Sequence, residues 1–163
     1  VSTAETTEHR PGGARTVVGG VLVAGGRNNG LAANLLLWAA AALMIASALI
    51  HLRLWGSFRY RAIPTIGPLF LLQAIAGVVL ALLVAAVRRV WSVLVAFGFV
   101  ASTIGGFLLS VNVGLFGFQD GWGAPWAGNA FAIEVAALVL LAIGGVLIAL
   151  RSLPAGRAGP LPG

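Results

Sequence analysis

Residues 66–87 read IGPLFLLQAIAGVVLALLVAAV, a run with no charged side chain and one strongly polar one, Gln73. As a helix this run rises ~33 Å at about 1.5 Å per residue, enough to cross the roughly 30 Å hydrocarbon layer of a bilayer. Stretches of the same kind occupy 31–52, 91–112 and 129–150. A soluble domain of 163 residues has no interior for four such helices. The pattern therefore predicts an all-α, polytopic membrane protein whose four transmembrane helices form an up-down bundle over residues 31–150.

The flanks read differently. Residues 1–30 form a flexible tail, polar at Ser2, Thr3, Glu5, Thr6, Thr7 and Glu8 and then broken by Pro11, Gly12 and Gly13. Within it, 17–26 is apolar but short and interrupted by glycines, too weak for a span. The same interruptions argue against a cleaved signal peptide there, although Arg10 and Arg15 precede it. Residues 151–163 are rich in Pro and Gly and read as a second flexible tail.

Composition points the same way: 60% of residues are apolar and 9% charged. With no cysteine, disulfides, thiolate metal sites and covalently attached haem are excluded. All ten basic residues are Arg, a usage that fits a GC-rich genome. The pI of about 11.8 would suggest nucleic acid in a soluble protein. In a membrane chain arginines set orientation instead, and no nucleic-acid partner is expected. Arg10, Arg15, Arg27, Arg88, Arg89, Arg151 and Arg157 fall on one side of the spans, against Arg53, Arg59 and Arg61 on the other. The positive-inside rule then predicts a multi-pass plasma-membrane protein with both termini cytoplasmic.

Lipid gives helices no hydrophobic reason to associate, so small residues should mark the faces that meet. Gly77, Ala81 and Ala85 form such a ladder, with Gln73 on the same face. Gly98, Ser102, Gly105 and Gly106, then Gly145 and Ala149, then Ala40 and Ser47 are the corresponding expectations for the other spans. Trp55, Trp122 and Trp126 fall at the outer boundary and Trp91 at the inner one, where amphipathic rings concentrate. The segment 114–128 alternates glycine with Phe116, Phe118, Trp122 and Trp126, and reads as an interfacial anchor or as a lid over the bundle mouth.

The costly residues converge on the outer half. Glu134 lies about 5–8 Å below the start of the fourth span at helical rise, Gln73 at similar depth in the second, His51 at the end of the first, and Ser110 and Asn112 at the end of the third. An ionisable side chain within a span costs about 2.5–3.5 kcal/mol on insertion scales, so it faces a partner or a cavity. For Glu134 the partners on offer are His51 or one of Arg53, Arg59 and Arg61. The readings are a pair that ties helices together, a proton, ion or ligand site, or an interface to another subunit. The three arginines otherwise meet lipid headgroups or an anionic ligand. Pro64 and Pro68 around Gly67 give the second span a stiff start.

No catalytic residue, metal site or cofactor is assigned. His51 is the sole histidine near a span, so one chain cannot supply a bis-histidine haem. No nucleophile triad, phosphate loop or zinc spacing is present. The leading expectation is a non-enzymatic accessory subunit or homo-oligomeric membrane protein with a polar site near the outer face. Its partners are the lipid bilayer and other membrane subunits or itself. A small proton-coupled carrier using Glu134 is second, and a haem- or quinone-binding electron-transfer subunit third.

Residues 51–77, HLRLWGSFRYRAIPTIGPLFLLQAIAG, together with Gly105–Gly106, the run from Gly114 to Phe118 and Glu134, resemble a family of small four-span membrane proteins of actinobacteria. The resemblance spans roughly 31–150. It implies the four-span fold and a bacterial host, and it implies no reaction.

Overall fold

The computed structural model describes residues 13–26 and 28–153. Arg10, Arg27 and Arg157, and the tail readings for 1–12 and 154–163, lie outside the described residues. The chain forms α1 (Gly13–Val23), α2 (Leu31–Ser57), α3 (Ile66–Val87), α4 (Val90–Asn112) and α5 (Ala127–Ser152), with a short 3-10 turn at Tyr60–Ala62. No strand occurs among the described residues, only the isolated bridges Gly25–Arg89 and Leu115–Phe118. Helices α2 to α5 are each long and apolar enough to cross a membrane. Their outward faces carry Leu49, Leu72, Ile75, Val79, Leu82, Val95, Val139 and Val146, all exposed. This is an all-α, multi-pass membrane protein, apolar on the outside because its surroundings are hydrocarbon.

The four long helices run up and down in a ring. Helix α2 packs along both α3 and α5, α4 closes against α5, and α3 and α4 touch least of the neighbouring pairs. One end of the bundle carries the α3–α4 turn and the start of α2 (the near end). The other carries the α2–α3 and α4–α5 connections (the far end).

At the near end the α3–α4 turn is only Arg88 and Arg89. Arg88 adopts the left-handed conformation (φ 49°) and its N–H still bonds Val84 O at 3.1 Å. Its carbonyl accepts from Gly26 N at 3.0 Å and from Asn29 Nδ2 at 2.7 Å, while Val90 N donates to Ala24 O at 3.1 Å. Gly25 makes this seam possible. Its φ is +104°, and a Cβ there would sit 2.5 Å from Arg88 O and 2.8 Å from Ile148 Cγ2. The α1–α2 link is thus fastened to the turn between α3 and α4. Part of the segment expected as a tail is therefore built structure: α1, too short to span, leans on α4 and α5.

The near half of the bundle is densely packed. Leu37, Ala40, Ala81, Val84, Ala96 and Leu141 are fully enclosed, with Val93 and Ile148 beside them. Small residues allow this on α2 and α3, where Gly77 approaches Ala48. Helix α4 departs from the expectation. Ser92, Val93, Ala96 and Val100 turn inward, whereas Gly98, Ser102 and Gly105 are exposed, and a Cβ on either of those glycines would meet nothing within 4 Å. A helix apolar all round carries no stripe that says which face is buried, so small residues alone do not settle it.

At the far end α2 continues to Ser57, beyond the boundary expected at 52. Arg53 and Trp55 therefore stand on the helix rather than in a loop. Helix α3 begins after Thr65, and Pro68 falls in its first turn, where the missing N–H has no intrahelical partner to lose. Gly67 is pressed against the 3-10 turn: a Cβ would lie 2.8 Å from Arg61 O and 2.9 Å from Tyr60 O. That contact holds Tyr60 over the end of the bundle.

Candidate functional site

Glu134 lies two turns inside α5, so its backbone groups are spent within the helix and only its side chain needs partners. It is 4% exposed and faces α2. There Ser47 and His51, one turn apart on the same face, meet it. The Ser47 hydroxyl donates to Glu134 Oε1 at 2.7 Å. His51 Nδ1 lies 2.9 Å from the carbonyl oxygen of Ser47. A carbonyl only accepts, so Nδ1 carries the proton of that bond. In a neutral ring Nε2 is then a lone pair, and it stands 4.0 Å from Glu134 Oε1, beyond hydrogen-bond reach. Ser47 gives the one hydrogen bond that Glu134 receives among the described residues.

Above this cluster opens a chamber of about 420 Å³, within the size range of small-molecule sites. Glu134, His51 and Gln73 lie along its floor, and its walls are mainly aromatic and aliphatic. It occupies the gap where α3 and α4 part. Leu69 and Leu72 of α3 and Ser102 of α4 belong both to its wall and to the exposed surface, so the chamber opens sideways between those helices. Gly106 lines it on α4, with open space where a Cβ would be. Below Glu134 lies a void of about 10 Å³, shared with Gln73 and Gly77, next to the packed near half.

The α4–α5 connection covers the far end. Leu115 and Phe118 exchange backbone hydrogen bonds of 2.7 and 2.9 Å, and Phe116 (φ 52°) and Gly117 (φ 76°) form the bend between them. Phe118 meets Tyr60 edge to face at 5.9 Å, and Tyr60 stacks on Phe70 at 4.7 Å. Trp122, Phe107 and Phe131 make a second aromatic cluster with centroids 5.0 to 6.0 Å apart. The backbone N–H of Asp120 donates to Ser110 Oγ at 3.2 Å, and its side-chain Oδ1 accepts from Gly121 N at 2.9 Å. Burial, together with the neighbouring Asp120 charge, pushes the Tyr60 hydroxyl above the ordinary phenol value. Of the two roles expected for this connection, covering the chamber is the one its contacts fit, with Trp122 and Trp126 exposed along its edge.

The expected residues divide accordingly. Glu134 and His51 meet, Gln73 joins them at the chamber floor, and Ser110 is buried beneath the covering loop. Asn112 stands apart: it is exposed and bonds Leu108 O of its own helix at 2.7 Å. None of the three first-loop arginines reaches Glu134. Arg53 lies over the Trp126 ring at 5.5 Å, Arg59 and Arg61 are exposed, and no arginine lines the chamber. The carboxylate instead takes the hydroxyl of Ser47, which the sequence offered only as a small packing residue. Its spacing of four from His51 was the available signal. Tyr60 and Asp120 carried no sequence signal of their own, because only the fold brings them together.

Among the described residues no group of three His, Cys, Asp or Glu side chains is placed to hold a metal ion. Comparison with protein-family models, with curated proteins and with solved structures finds no match.

Proposed function

We propose that this chain is a non-enzymatic protein of a bacterial plasma membrane, with both termini cytoplasmic, that works through a binding chamber near its outer face. It acts as an accessory subunit, associated with other membrane proteins or with copies of itself. The observation that carries this reading is the buried Ser47–Glu134–His51 cluster forming the floor of the 420 Å³ chamber. A carboxylate retained inside a span marks a site, by its cost in hydrocarbon. The cluster does not resemble catalytic machinery. Ser47 Oγ lies 3.4 Å from His51 Nδ1, but Nδ1 carries the proton it donates to the Ser47 carbonyl at 2.9 Å, and the hydroxyl donates to Glu134 Oε1 at 2.7 Å, so His51 holds no lone pair toward the hydroxyl with which to act as its base.

Gentle purification from native membrane, followed by native mass spectrometry and an absorbance spectrum, tests the role. Stoichiometric partner proteins or a defined homo-oligomer are expected. A monomer alone overturns the subunit reading, and a Soret band replaces it with the electron-transfer one.

A proton-coupled carrier is the second reading, favoured by the position of Glu134 between the chamber and the void beneath it. It requires the Leu37–Leu141–Ile148 layer to open toward the near end. Flux into liposomes that Glu134→Gln abolishes, in a variant that still folds, would establish it.

A further inference from the structure

The charges around the chamber are one-sided. Its ionisable lining is Glu134, Asp120, His51 and Tyr60, and it includes no guanidinium in a chain with ten arginines and a net charge of +6. At the same end of the bundle Arg53 lies over the Trp126 ring, and Arg59 and Arg61, on either side of Tyr60, are exposed and do not line the chamber. His51 faces the carboxylate from beyond hydrogen-bond distance. Around these groups stand the rings of Tyr60, Phe70, Phe107, Phe118 and Phe131.

We propose that the chamber binds a lipophilic organic cation, an amine or onium ion on an apolar body, taken up from the membrane through the opening between α3 and α4. The inference rests on the chamber being a binding site and names what it takes. Three features of a cation match it. Its charge complements Glu134, which has no cation in contact. Aromatic faces attract cations, most strongly where water is excluded. The apolar body replaces lipid along Leu69, Leu72 and Phe99, where a free ammonium or metal ion would lose its hydration without return. A neutral alcohol has one proton to donate, to Glu134 or to His51, and leaves the charge unmatched. An anionic amphiphile would meet two carboxylates.

Two probes of one shape and opposite charge decide the matter. The protein in nanodiscs is titrated with tetraphenylphosphonium and, separately, with tetraphenylborate, with empty nanodiscs as the partition control. The neutral dye N-phenyl-1-naphthylamine reports on the chamber itself, and Gly106→Phe fills it. Saturable binding of the phosphonium alone is expected. Glu134→Gln should raise its Kd at least tenfold, and Glu134→Asp should raise it less. Circular dichroism and thermal unfolding show that each variant is folded. If the borate binds as well, or Glu134→Gln leaves phosphonium binding unchanged, the cation assignment is wrong. The chamber reading then survives provided Gly106→Phe still displaces the dye. If neither the dye nor the phosphonium binds, or Gly106→Phe changes neither, both readings fall together.

Discussion

The bond between Ser47 and Glu134 can be weighed directly. Ser47→Ala removes a 2.7 Å hydrogen bond between two residues that are each 4% exposed. In soluble proteins a hydrogen bond to a charged group contributes about 1.5–3 kcal/mol. Polar contacts between membrane helices measure less, averaging about 0.6 and reaching about 1.7 kcal/mol, because the unfolded chain in the membrane also finds partners. This bond is short and enclosed, and Ser47 is the sole donor to the carboxylate among the described residues, so it belongs at the upper end. A cycle of Ser47→Ala, Glu134→Leu and the double variant, unfolded reversibly by SDS in mixed micelles, should return a coupling of about 1–1.7 kcal/mol. Ser47→Thr, which keeps the hydroxyl, should recover most of it. A coupling below about 0.5 kcal/mol, the scatter expected of independent sites, would refute the claim that α2 and α5 are joined through this pair.

Other outcomes follow from the same geometry. Gly25→Ala should destabilise the bundle by at least about 1–3 kcal/mol, the usual cost of a strained backbone conformation, because its Cβ also collides with Arg88 O; thermal unfolding reads this. Gly105→Ala should instead stabilise by about 0.5–1 kcal/mol, the helix preference of alanine, since nothing lies within 4 Å of the added methyl. Leu141→Ala, in the sealed near half, should cost about 2–5 kcal/mol by leaving a cavity. Tyr60 is the sole tyrosine, so tyrosinate absorbance near 295 nm reports it alone. Its raised folded value means that folding favours the neutral phenol. That contribution to stability is complete below the ordinary phenol value of about 10 and is lost as pH rises through the folded value. Ionisation should therefore begin later than in a free phenol, and Asp120→Asn should move it part of the way back; an unshifted wild-type titration would contradict the burial of the ring beneath the connection.

The sequence and the structure agree where length and polarity decide. Four runs of about twenty apolar residues leave a helix little alternative in a bilayer, and Glu134 announces itself as an ionisable group placed within one of them. What was not legible depends on rotation and closure. The small residues of α3 do face its neighbours, yet Gly98 and Gly105 of α4 face outward, because a uniformly apolar helix does not record which way it turns. The arginines offered the strongest charge for Glu134, but α2 runs on to Ser57 and carries Arg53 beyond the chamber, while His51 stays inside it. Helix α1 was hidden by its glycines, and Gly25 turned out to be the residue that fastens its link to the bundle.

The layer of Leu37, Leu141 and Ile148 beneath Glu134 has a consequence for what the chamber can accomplish. While that layer stays shut, a molecule that enters from one leaflet leaves to the same leaflet, so no gradient can be harvested or opposed. Occupancy then follows the ligand's activity in that leaflet alone. A vessel of this kind works as a reservoir or a gauge: it blunts sudden changes in its ligand, or it reports them to whatever touches the outside of the bundle.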